Sequence, residues 1–234
     1  MSRDGLQWVI EHATQPLMLR RLLTALCFTP LLAAAGPEPG NHWLAERAAT
    51  SDRVVLAQLD RIDYEYRRGQ PVEGSAWFKP LITYKSDGES PAAVVVTEQG
   101  LKHNECYFPR VAPWEENPRY LLFLVEDREA GAITGHPDGC AIEILVDSAG
   151  GYAARWPQPA LGGEHGRGDA ALQARVREMT FQGPMARIDT GDLLAHQRRQ
   201  RAERDFMEID GTDLVPTRGI ALTDLRRLMM VDLD

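Results

Sequence analysis

The chain has 234 residues, of which 44% are hydrophobic and 26% charged, and carries a formal net charge of -8. These are the proportions of a folded globular protein, which excludes a mainly disordered chain, a collagen-like repeat and a polytopic membrane protein. The acidic balance argues against a phosphate-binding surface and so against nucleic acid as a partner, and three cysteines are too few for a disulfide-dense scaffold.

Residues 1–17 contain Asp4 and Glu11 and no clear core pattern. They read as an extension produced by start-site choice, with Met18 as the natural start. Residues 18–35, MLRRLLTALCFTPLLAAA, have the layout of a secretory signal peptide. Arg20 and Arg21 form the basic region, Leu22 to Leu32 the apolar region, and Ala33-Ala34-Ala35 the small-residue end, with cleavage expected after Ala35. The apolar run is short for a membrane span and is interrupted by Pro30. No stable span is therefore expected once the signal is cut. Cys27 follows Leu26 rather than a small residue, which disfavours lipid attachment. The expected location is periplasmic or secreted. Residues 36–50, starting Gly36-Pro37-Glu38-Pro39-Gly40, read as a linker.

From Ser51 to Pro157 the pattern is that of strands. Val54 to Tyr66 gives a long first strand with a bulge expected near Asp60. In Ala76 to Lys85, apolar residues alternate with Lys79, Thr83 and Lys85, the period of a half-buried strand. Pro80 cannot donate to a ladder, which places it at an edge or a kink. Ala92 to Thr97 is short and Val-rich, and Tyr120 to Val125 is apolar throughout and so central. Ala141 to Val146 and Tyr152 to Trp156 predict a hairpin around Ser148-Ala149-Gly150-Gly151. Six strands in this length suggest a small β-barrel or sandwich over 51–159.

Residues 160–168 form a Gly-rich linker and 169–234 a helical C-terminal region. Asp169 is placed to cap a helix running to Gln182, with Leu172, Val176 and Met179 on one face. A second helix is expected from Gly191 to Ile209, its arginines paired with acids on a solvated face. A third, Thr223 to Val231, presents Leu225, Leu228 and Met229. Such narrow apolar stripes cannot stabilise isolated helices, so the tail must dock on the barrel, pack on itself or meet a partner.

Cys106 and Cys140 are the cysteines left after signal cleavage, and an even pair in an exported chain is a disulfide candidate. The competing reading is a nucleophilic Cys140 served by His136 or Asp138. His136-Pro137-Asp138-Gly139-Cys140 also invites a metal reading, but Asp-Gly after Pro is what a tight turn looks like before a strand. No hydrolase, zinc-protease, phosphate-loop or dinucleotide fingerprint occurs, and no cofactor is expected. Trp114, Tyr120, His136 and Asp138 are the candidate binding residues, with core packing the plainer role for the aromatic ones.

The strand-rich segment, a Cys, Arg119-Tyr120-Leu121-Leu122-Phe123-Leu124 and a second Cys some 16 residues later resemble the netrin-type domain. Tissue inhibitors of metalloproteinases belong to that superfamily. The resemblance covers Ser51 to Pro157. It implies a mainly β chain: a small Greek-key OB-like barrel, here followed by a helical C-terminal tail. The inhibitors chelate zinc through an amino-terminal cysteine, whereas the mature chain would begin Gly36-Pro37, so that chemistry is not implied. The expected function is an exported binding module for a protein or cell-envelope component. The alternatives are an exported hydrolase or redox enzyme using Cys140 with His136 or Asp138, and a protease inhibitor acting without chelation through the Glu126–Asp138 segment.

Overall fold

The computed structural model describes residues 43–86, 92–100, 106–110, 117–157 and 169–229. The 1–17 extension, the 18–35 signal segment, the 160–168 linker and Trp114 lie outside the described residues. The described chain is mainly β and its strands pair antiparallel.

Helix α1 (Trp43–Thr50) comes first, in a stretch expected to be linker. Its Leu44, Ala45, Arg47 and Ala48 are buried, so one face of this short helix is spent on the core. Strands β1 (Arg53–Arg67) and β2 (Gln70–Lys85) then form a long hairpin. The register slips between Leu59 and Arg61, so the bulge falls at Asp60 as expected. A second slip lies beside Pro80. β3 (Val94–Gln99) covers the outer edge of β2 from Glu73 to Phe78, so among the described residues no strand pairs with Pro80 on that edge. Lys79 and Pro80 lie on this edge, and both discourage strand addition there.

β4 (Arg119–Asp127) pairs with β1 on one side. Its other side is shared end to end by β5 (Ala132–Gly135) and β6 (Ala141–Asp147). β6 turns through Ser148–Gly151 into β7 (Tyr152–Arg155), the expected hairpin. The hydrogen-bonded path runs β3-β2-β1-β4-β6-β7 and continues with β13 (Arg218–Ala221) and β8 (Arg177–Glu178), while β9 (Phe181–Gln182) pairs with β6. No closed barrel of hydrogen-bonded strands is found among the described residues.

The central strands are covered on both faces, which explains the unbroken apolar run of β4. Leu121 and Phe123 join Val54, Leu56, Ile142 and Leu44 in one cluster. Tyr120, Leu122 and Leu124 join Val55, Phe78, Val94 and Val96 in the other.

The C-terminal third differs from three consecutive helices. Asp169 caps as expected, accepting from the Ala171 and Leu172 N–H groups, but α2 spans only Ala170–Gln173. Beyond it the backbone is claimed by tertiary partners: the Met179 N–H donates to the Thr217 carbonyl, and β8 and β9 pair with the sheet. Helix α3 spans Ala195–Arg204, shorter than Gly191–Ile209. Phe206 at φ 51° turns the chain out of it into β11 (Met207–Asp210), which with β12 (Asp213–Pro216) and β10 (Ile188–Asp189) makes a second, three-stranded sheet. Arg201 and Arg204 pair with Asp205, and Arg198 donates to the carbonyls of Thr190, Leu193 and Gly211. Two arginines of the run are thus charge-paired, both with Asp205, while Arg198 serves the backbone. Helix α4 (Leu222–Met229) matches the expected stripe: Leu225, Leu228 and Met229 are buried in the same cluster as Leu44 and Phe123. The segment expected as a tail therefore gives β13 to the main sheet and α4 to the main core.

Candidate functional site

β5 and β6 run along the same edge of β4 and are separated by His136–Cys140. Both ends of this excursion meet one residue of β4. The Phe123 carbonyl accepts the His136 N–H at 3.0 Å, and the Phe123 N–H donates to the Cys140 carbonyl at 2.7 Å. The loop between closes as a tight turn, with the Gly139 N–H donating to the His136 carbonyl at 3.0 Å and Pro137 where its fixed φ suits a turn.

Three neighbours brace the loop. From α1, the Arg47 guanidinium donates to the Asp138 carbonyl. Its carbon lies 4.4 Å from the Trp43 ring centroid and 5.6 Å from that of Phe123, a stacked arrangement for a buried cation. A Cβ at Gly139, whose φ is +116°, would lie 3.0 Å from Arg47 Nη1. From β3, Glu98 Oε1 accepts the Gly135 N–H at 2.8 Å, although Glu98 is only 7% exposed. From the segment before β4, Cys106 lies at disulfide distance from Cys140, their Cα atoms 5.9 Å apart. That separation meets the expected geometry. Gly135 sits against this pair: a Cβ there would fall 2.6 Å from the Cβ atoms of both cysteines.

His136 is 5% exposed. Its Nδ1 accepts the Asp138 N–H at 3.1 Å, and its Nε2 lies 2.9 Å from Thr50 Oγ1. Burial holds the ring below its ordinary pKa; Asp138 pulls the other way, and Arg47 adds to the lowering. Burial likewise pushes Arg47 down to about 10 against the pull of Asp138, so it stays charged near neutrality. The imidazole is thus neutral with both nitrogens occupied, and the Cys140 sulfur is within bonding distance of another. This arrangement joins α1, β3, β4 and β5; it offers neither a free thiolate nor a free base.

Of the residues singled out from sequence, the structure brings Cys106, Cys140, His136 and Asp138 together. Tyr120 is elsewhere, buried edge-on against Phe78 and Phe108, and burial pushes its hydroxyl pKa well up. Packing is its role here. Arg47, Thr50 and Glu98 were not legible as site residues, because nothing in a short Ala-rich segment or a Val-rich strand signals what it will face. Among the described residues, no group of three or more His, Cys, Asp or Glu side chains is placed to hold a metal ion. A cleft lined by Pro118, Arg119, Glu143, Gln182 and Met185 lies between the start of β4 and the end of β9. It contains none of the sequence-derived candidates.

Compared with known protein families, curated protein sequences and solved structures, the chain shows no match.

Proposed function

We propose that the chain is an exported binding module for a protein or cell-envelope component, stapled by a Cys106–Cys140 disulfide and without catalytic use of Cys140. One observation carries this reading: Cys140, the nucleophile that the enzymatic reading pairs with His136, stands at disulfide distance from Cys106, 5.9 Å between Cα atoms. Such a pair persists in an oxidising compartment, in keeping with the signal-like 18–35 segment. The neighbouring His136, neutral and hydrogen-bonded at both nitrogens, is unavailable as a base.

The proposed architecture is OB-like, in keeping with the netrin-type resemblance. β1, β2 and β3 on one side and β4 and β5 on the other enclose the cluster of Val55, Phe78, Val96 and Leu122. The Glu98 carboxylate links β3 to β5 through the Gly135 N–H, the place where such a barrel would close. Whatever binds does so without the amino-terminal zinc chelation of the metalloproteinase inhibitors.

The test is to express the chain from Met18 in a bacterial host and recover the exported protein. The expected product begins at Gly36 by intact mass and has no titratable thiol without reductant. Immobilised, it should retain a specific envelope component and turn over nothing in a hydrolase panel. A reactive Cys140 thiol, with turnover abolished in Cys140→Ser, would replace this reading with the enzymatic one.

A further inference from the structure

We infer that the His136–Cys140 loop is an acid-sensitive latch: protonation of His136 at Nδ1 turns the acceptor of the Asp138 N–H into a donor and opens the turn at Asp138 and Gly139. The hydrogen bonds fix the tautomer. The Asp138 N–H can only donate, so Nδ1 carries a lone pair. The ring proton is then on Nε2 and is donated to Thr50 Oγ1, whose own hydrogen goes to the Glu46 carbonyl at 2.8 Å. A second proton has one place to go, Nδ1, where it would face the Asp138 N–H donor. The bond that shapes the turn becomes a repulsion.

The surrounding charges are mixed and fixed in place. From α1, Arg47 presents a buried cation to the ring, and the Asp138 carboxylate opposes it from within the loop. From β3, Glu98 reaches the N–H of the preceding residue, Gly135. From β2, Lys85 Nζ donates to the Ala48 and Ala49 carbonyls at the end of α1. From β4, the Phe123 carbonyl accepts the His136 N–H. The unfolded chain, with its histidine near 6.5, takes up the proton before the folded ring does. The latch is therefore fully closed above that pH and weakens as pH falls. Release stops at the loop, since Leu44, Ala45 and Ala48 hold α1 in the core independently of His136.

The experiment is a pH titration of the full chain by NMR. At pH 7.5 the His136 ring should show a protonated Nε2 and an unprotonated Nδ1. Between pH 7.5 and 5, amide protection at Asp138 and Gly139, corrected for intrinsic exchange, should fall at least tenfold. That fall should share a midpoint with the ring titration. His136→Gln supplies the same acceptor and donor without titrating, and should hold the loop at both pH values. Unchanged protection in the native chain, or an equal fall in His136→Gln, would overturn the latch. Should His136→Gln fail to hold the loop at pH 7.5, the native midpoints decide: coincidence supports the latch and separation overturns it.

Discussion

Gly135 is the most constrained position of the candidate site. Its missing side chain is what allows β5 to lie against both cysteines, since a Cβ would fall 2.6 Å from each of theirs. Neither neighbour is a flexible side-chain end, so Gly135→Ala must push β5 away from the pair and from Glu98. Overpacking of this kind costs about 1–3 kcal/mol, and the expected loss should appear as a lowered midpoint in urea denaturation. Arg47 makes the opposite kind of contribution, a large group that fills and pairs. Arg47→Ala removes a charge-assisted hydrogen bond to the Asp138 carbonyl and the stacking between Trp43 and Phe123. We expect a loss of about 2–4 kcal/mol by the same measurement, with the cysteines still paired.

Among the elements, those with an apolar or turn pattern of their own were the ones legible from sequence. The β1 bulge at Asp60, the β6–β7 hairpin and the burial of Leu225 and Leu228 follow from alternation, turn residues and a 3–4 spacing. β5 was missed: Ala132–Gly135 is four residues long, half-exposed and ends in glycine, so it has no pattern of its own and exists because β4 offers an edge. The helix expected from Asp169 failed for a related reason. Its cap is real, but the Met179 N–H meets the Thr217 carbonyl, a partner outside a helix, and Arg177–Glu178 pair with β13. The site was half legible, since the His136–Cys140 cluster is contiguous in sequence while Arg47 and Glu98 reach it from 91 residues away for Arg47–Asp138 and from another strand for Glu98–Gly135. The role of α4 is testable at this scale. Leu225 is fully buried among residues of α1, β1 and β4, so Leu225→Ala should cost about 2–5 kcal/mol. A loss below about 1 kcal/mol by thermal melting would mean that α4 does not pack there.

At the scale of the whole molecule, the two clusters share one sheet but depend on different parts of the chain. The cluster of Phe78, Val96 and Leu122 is complete by Ala141, whereas that of Leu56 and Phe123 needs Ile220, Leu222 and Leu225 from the C-terminal third. Truncation after Pro157 should therefore leave one face of β1 and β4 bare. We expect the truncated chain to bind a hydrophobic dye and to lose cooperative unfolding, whereas the full chain unfolds in one main transition. The second sheet is the weaker region, with Ile209 39% and Leu194 62% exposed. Hydrogen exchange should find β10, β11 and α3 less protected than β13 and α4; equal protection would show that the two sheets open together.

The cysteine pair has a mechanical consequence. Cys106 and Cys140 are 34 residues apart and bracket β4 and β5, the strand at the middle of the sheet and its short neighbour. With the bridge formed, a chain pulled from its ends would transmit tension across it, so the bracketed segment would bear no load and could not be drawn out. With a residue spanning at most about 3.3–3.6 Å, the oxidised protein should extend about 110–120 Å less than the reduced one in a single-molecule stretching experiment. A difference near zero would mean that the bridge is not formed in solution. A held β4 would also keep Phe123 and Leu122 in the unravelling remnant, giving a stretched chain a fixed hydrophobic seed from which to recoil.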